Sequence, residues 1–99
     1  MNDKALNLLG LAYRARMIVT GEEIVLQSMR KNRLHLVILS EDASDNTKKK
    51  ITDKASHYGV PLLIKGERHI LGQAIGKSER VVLGVEENGF AKKLQSLLE

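Results

Sequence analysis

The stretch from Thr20 to Lys31, TGEEIVLQSMRK, holds the densest set of side chains able to do chemistry. Thr20 and Glu23 have the spacing of a capping box. In that motif the hydroxyl accepts from the third helical amide and the carboxylate reaches back to the cap's own N–H. Gly21 and Glu22 then open a helix, and the absent side chain at Gly21 lets another backbone approach. Helical projection sends Val25, Ser28 and Met29 to one side and Glu23, Gln27, Arg30 and Lys31 to the other. Unpaired amides and the positive dipole end at the helix start can hold a phosphate. Glu23 and Gln27, one turn apart, can meet the donor and acceptor edges of purines. Arg30 and Lys31 can neutralise a flanking backbone, and Arg14 and Arg16, shortly upstream, can add phosphate contacts. A capped, solvated helix would carry the same pattern, so these residues alone do not decide a function.

Other chemistries are poorly supplied. There is no cysteine, so disulfides and thiolate metal sites are excluded. His35 falls in a strand pattern, while His57 and His69 fall in separate helical ones. None has metal-site spacing, and no metal is expected. Ser40, Asp42 and a histidine make no hydrolytic triad without a nucleophile elbow. Gly72, Gly76 and Gly84 match neither a P-loop nor a dinucleotide turn, so no cofactor or small-molecule substrate is expected. Tyr13, Tyr58 and Phe90 are the only aromatics. That is too few for a sheet that stacks splayed bases. Sixteen Lys and Arg stand against twelve Asp and Glu, a net charge of +4 that favours polyanionic partners. Lys48, Lys49 and Lys50 are expected only to solvate the outer face of a helix.

These residues need a scaffold, and the pattern of the chain describes one. Leu34–Leu39, Val60–Ile64 and Val81–Val85 are short, nearly unbroken apolar runs, as expected for strands covered on both faces. A fourth, shorter strand is expected at Met17–Val19. Helical stripes alternate with them: Ala5, Leu8, Leu9 and Ala12; Val25, Ser28 and Met29; Ile51, Ala55 and Tyr58; Ile70, Leu71 and Ala74; Phe90, Leu94, Leu97 and Leu98. Gly59 followed by Pro61 should stop the third helix, and Asn88 should cap the last. The expected fold is α/β, a three-layer α/β/α sandwich around a small mixed four-stranded sheet, with residues 1–99 forming a single domain. No apolar run is long enough to cross a bilayer. Arg14 and Arg16 follow the apolar stretch Ala5–Ala12 instead of preceding it, which is the wrong order for a secretory signal, so a cytoplasmic protein is expected.

Three segments together carry a resemblance: Gly21–Met29, LHLVILSEDAS (Leu34–Ser44) and GVPLLIKGERHILGQAIGK (Gly59–Lys77). In order and approximate spacing they resemble the L-seven-Ae type ribosomal-protein family of kink-turn RNA binders. The LLGLAYRAR start and the SEDAS-DNTKKK stretch look most like its small bacterial YlxQ-type branch. The resemblance implies recognition of sharply bent RNA with tandem sheared G·A pairs. The family's Gly-x-Asn-Glu-x-x-Lys signature falls on Gly21, Glu23, Ile24 and Gln27, so only the glycine is kept. It further implies contacts from the turn at Glu41, Asp42 and Ser44, from Arg68, and from Ile75-Gly76-Lys77-Ser78-Glu79, which in the family packs on an extruded nucleotide.

The expectation is therefore a monomeric, non-catalytic protein that binds a structured RNA, ribosomal or regulatory, and acts near translation. Contacts are expected from Arg14, Arg16, Thr20, Gly21, Glu22, Glu23, Gln27, Arg30, Lys31, Glu41, Asp42, Arg68, Ile75, Gly76, Lys77 and Ser78. Two alternatives share the scaffold. One is a protein adaptor using Ile24 and Leu26 as an exposed apolar patch. The other is a stand-alone relative of the substrate-binding domain of RNA methyltransferases.

Overall fold

The computed structural model describes residues 1–99. In chain order it has α1 (Asp3–Arg14), β1 (Ile18–Thr20), α2 (Glu22–Arg30), β2 (Leu36–Leu39), α3 (Asp45–Tyr58), β3 (Leu62–Ile64), α4 (Arg68–Ala74), β4 (Val82–Val85) and α5 (Asn88–Leu98). The strands form one mixed sheet in the order β1-β4-β2-β3, with β4 antiparallel to both β1 and β2, and β3 parallel to β2.

All eight residues of the two central strands are buried, which is why their sequences read as unbroken apolar runs. Alternation still operates within them. Leu36, Ile38, Leu83 and Val85 face α1, α4 and α5 through Ala5, Leu9, Leu71, Ile75, Ala91 and Leu94. Val37, Leu39 and Val82 face α2 and α3 through Val25, Leu26, Met29, Ile51 and Ala55. The result is the expected α/β/α sandwich with a four-stranded mixed sheet. The strands begin one or two residues later than the apolar runs suggest. The trimmed residues Leu34, Val60 and Val81 pack against the second cluster from outside the ladder.

The helix stops are mostly local chemistry. Asn2 caps α1 by accepting from Ala5 N–H at 2.8 Å, and Ser44 caps α3 by accepting from Thr47 N–H at 3.2 Å. Gly59 ends α3 in the left-handed region at φ 68°, and Val60 N–H returns to Ala55 O at 2.8 Å, as Gly59 and Pro61 suggested. Two expected caps are wrong. Glu87, not Asn88, caps α5, its carboxylate accepting from both Gly89 and Phe90 N–H at 2.8 Å. At α2 there is no capping box: Gly21 is the cap residue at φ 97°, and the Thr20 hydroxyl donates to Val82 O at 2.9 Å. Thr20 lies within β1 opposite Leu83, so the sheet claims its side chain before the helix can. No helix is long and apolar enough to cross a membrane.

Candidate nucleic-acid interface

Gly21 has no side chain to satisfy the first helical amides, and the first α-type bond of α2 runs from Val25 N–H to Gly21 O. The N–H groups of Glu22, Glu23 and Ile24 therefore remain free for a ligand. They open beside a cleft of about 360 Å³ lined by Gly21, Glu22, Thr47, Glu79, Arg80, Val81 and Val82. Three elements meet there: the start of α2, the start of α3 and the α4–β4 connection. Glu23 stands well into solvent, with 72% of its side chain exposed, and Gln27 is exposed one turn on.

The cleft is not simply positive. Lys50 Nζ lies 3.4 Å from Glu22 Oε2 and 3.9 Å from Glu23 Oε1. One lysine of the triplet expected only to solvate α3 therefore neutralises the start of α2. Thr47, Lys50 and Arg80 were missed because their partners are remote in sequence, and only the fold brings them together.

The side chains of the turn after β2 are engaged within the protein. Glu41 Oε1 accepts from Gly66 N–H at 3.0 Å, and Asp42 Oδ1 accepts from Arg68 N–H at 3.0 Å. The Arg68 guanidinium donates to Asp42 Oδ2 at 3.3 Å and to Asp42 O at 2.5 Å. Desolvation raises the Asp42 pKa, but the Arg68 amide, the nearby Ser40 hydroxyl and the Arg68 charge outweigh it, leaving the carboxyl below its ordinary value. The buried Ser40 hydroxyl makes no hydrogen bond of full geometry itself. Arg68 O in turn accepts from Arg80 N–H at 3.0 Å. Glu41, Asp42 and Arg68 thus form a brace behind the cleft, tying the β2–α3 turn to the α4–β4 connection.

That connection holds two further results. Ile75 was expected to contact a nucleotide, but it is only 5% exposed and belongs to the core beside Leu71 and Leu83. Its apolar side chain is worth more against the sheet than in water. Gly76, Lys77 and Ser78 are exposed. Lys77 Nζ sits 5.9 Å from the centre of the Tyr13 ring, placing this stretch against the end of α1.

Arg14, Arg16, Arg30 and Lys31 are not among the residues that line the cleft. Arg16 precedes β1 and Gly21 follows it, so the strand separates them by up to about 16 Å. α2 runs back toward the Arg16 end of the sheet. Ser28 Oγ donates to Glu86 Oε2 at 2.5 Å, and Glu86 N–H donates to Met17 O at 2.8 Å. Arg14, Arg16, Arg30 and Lys31 are exposed and engage in no ion pair. The expected contacts therefore separate into an amide- and carboxylate-lined cleft and a cationic end one strand-length away. The adaptor patch does not survive, because Leu26 is buried at 2% exposure and Ile24 is left alone at 55%.

Comparison with known proteins agrees with this architecture. The chain is 53% identical over 92 residues to the RNA-binding protein YlxQ of Bacillus subtilis (strain 168), covering 93% of this chain and 92% of that one. It is 46% identical over 96 residues to the RNA-binding protein YlxQ of Enterococcus faecium, covering 97% and 92%. A solved Bacillus halodurans protein of unknown function superposes with a TM-score of 0.95 at 50% identity, covering 98% of each chain. The Giardia lamblia 15.5kD RNA binding protein superposes with a TM-score of 0.81 at 21% identity, covering 99% of this chain and 90% of that one, a likeness of fold. The model of the ribosomal protein L7Ae/L30e/S12e/Gadd45 family matches residues 3–95, and the chain belongs to that family.

Proposed function

We propose that residues 1–99 act as one non-catalytic RNA-binding domain that grips a kink-turn-like element at the start of α2, working as a monomer near translation in the cytoplasm. The observation that carries this reading is the convergence of free α2 amides with the α4–β4 connection over one cleft. Amides at the head of a helix suit a phosphate, while Glu23 and Gln27 suit base edges. Glu23 can accept from guanine N1 and N2, and Gln27 can donate and accept. Arg14, Arg16, Arg30 and Lys31 would hold the flanking backbone. Thr20, with its hydroxyl engaged by Val82 O, would contribute only through its backbone. Glu41, Asp42 and Arg68 would act as the brace, and Gly76 to Ser78 as the opposing wall.

The names of the YlxQ relatives support RNA as the ligand. Those relatives are covered almost whole, leaving no room in them for a separate catalytic domain. Replacing Glu23 and Gln27 together by Ala should lower affinity for a kink-turn RNA about tenfold or more, with circular dichroism unchanged. Unchanged affinity in that double variant would remove the cleft from the reading.

A further inference from the structure

The geometry points to a second nucleotide-binding cleft, for an unpaired base and its phosphates, between the end of α1 and the α4–β4 connection. The inference rests on RNA being the ligand and extends the footprint beyond the start of α2.

Two clefts meet at Tyr13 and Arg14. One, of about 410 Å³, lies among Gly10, Tyr13, Arg14, Gln73 and Gly76. The other, of about 420 Å³, lies among Tyr13, Arg14, Arg16 and Ile18. The α4–β4 connection divides the first of these from the cleft at α2. Residues 73 to 76 line one side of it and residues 79 to 82 the other. Gly76 lines the first cleft from this connection, with φ 75° and nothing within 4 Å of where a Cβ would stand. A strand crossing the connection at that position would meet no side chain from Gly76 itself.

The lining has the parts that a nucleotide requires. Arg14, Arg16 and Lys77 are exposed cations outside every ion pair of the molecule. Gln73 is exposed, and its amide can both donate to and accept from a base edge. Tyr13 is the only aromatic ring with a cation over it, Lys77 Nζ at 5.9 Å. Such a contact at a half-exposed ring is weak enough for the lysine to swing to a phosphate and yield the ring face to a base. Arg16 holds a left-handed φ of 63°, a conformation that costs a branched-free but bulky residue energy and is usually left to glycine or asparagine. An acidic peptide would satisfy the cations but leave the ring and the Gln73 amide unused.

The test compares a kink-turn hairpin carrying tandem sheared G·A pairs with the same hairpin bearing an unpaired extension on either strand. In the unaltered protein one extension should raise affinity about tenfold, and Tyr13→Phe should keep that gain. Tyr13→Ala should abolish it. Because this ring also packs on the core, the pair Arg14→Ala with Lys77→Ala is measured alongside and should abolish the gain too. Amide shifts on adding the extension should centre on Tyr13, Arg14 and Gln73. No gain from either extension, or a gain retained in the Arg14/Lys77 pair, would overturn the second cleft while leaving binding of the bare hairpin intact. Failure to bind the bare and the extended hairpins would overturn both readings. Binding of polyglutamate at Arg14 and Lys77 in preference to the extension would assign the cleft to protein and overturn this inference alone.

Discussion

Glu87 and Asp42 show how much two surface carboxylates, one half-buried and one exposed, can settle when backbone amides converge on them. The Phe90 and Gly89 amides, in that order, hold the Glu87 pKa below its ordinary 4.5; partial desolvation opposes them and the His35 charge assists. The Asp42 carboxyl is held below 3.8 against desolvation by Arg68 and Ser40. In both cases the folded carboxyl is the stronger acid, so below its ordinary pKa the unfolded chain binds more protons. The stability these groups contribute is complete above about pH 4.5 and is lost as pH falls through their folded values. Urea midpoints should therefore be level near neutrality and decline in acid, and the decline should be shallower in Glu87→Gln and Asp42→Asn. A decline equally steep in both variants would show that other carboxylates govern acid unfolding. Neither role is visible in sequence. Glu87 stands next to an asparagine with equal title to the cap, and the partner of Asp42 is 26 positions away.

At the level of elements, the α4–β4 connection decides the shape of both clefts, and Gly72 decides where the connection sits. A Cβ at Gly72 would stand 2.7 Å from Ser78 O and from Glu79 N, both backbone atoms that cannot swing aside. Gly72→Ala should therefore cost about 1–3 kcal/mol of stability and displace residues 75 to 81. Chemical denaturation measures the first, and amide shifts confined to that connection measure the second. A variant with parent stability and unmoved amides would show that the connection gives way freely. The elements themselves were legible, because buried strands and amphipathic stripes leave a periodic trace in the sequence. Their meeting points were not. Leu26 looked available from local pattern and Ile75 from the family resemblance, and each is claimed by a face of the sheet. Thr20 matched a capping box until the β1–β4 pairing engaged its hydroxyl. For Leu26 and Thr20 a partner distant along the chain overrode a local preference.

For the whole molecule, the separation of cleft from cations sets how RNA would be held. Glu22, Glu23 and Glu79 stand near the α2 cleft with Lys50 and Arg80, so little net positive charge is available there. In the proposed mode most of the attraction comes from Arg14, Arg16, Arg30, Lys31 and Lys77, exposed cations outside every ion pair. Five such cations, each displacing close to one counterion, predict a slope of about −4 in log affinity against log salt. Binding to a kink-turn hairpin should then weaken by about a hundredfold or more for a fourfold rise in salt. Glu23→Ala with Gln27→Ala should lower affinity at every salt concentration and leave the slope unchanged, since neither residue releases a counterion. Arg14→Ala with Arg16→Ala should instead flatten the slope by between one and two, and at high salt the variant and its parent should converge. A flat salt dependence in the parent would assign the affinity to the cleft alone. A slope that resists loss of both arginines would place the phosphates along Arg30 and Lys31, on the opposite flank of the sheet.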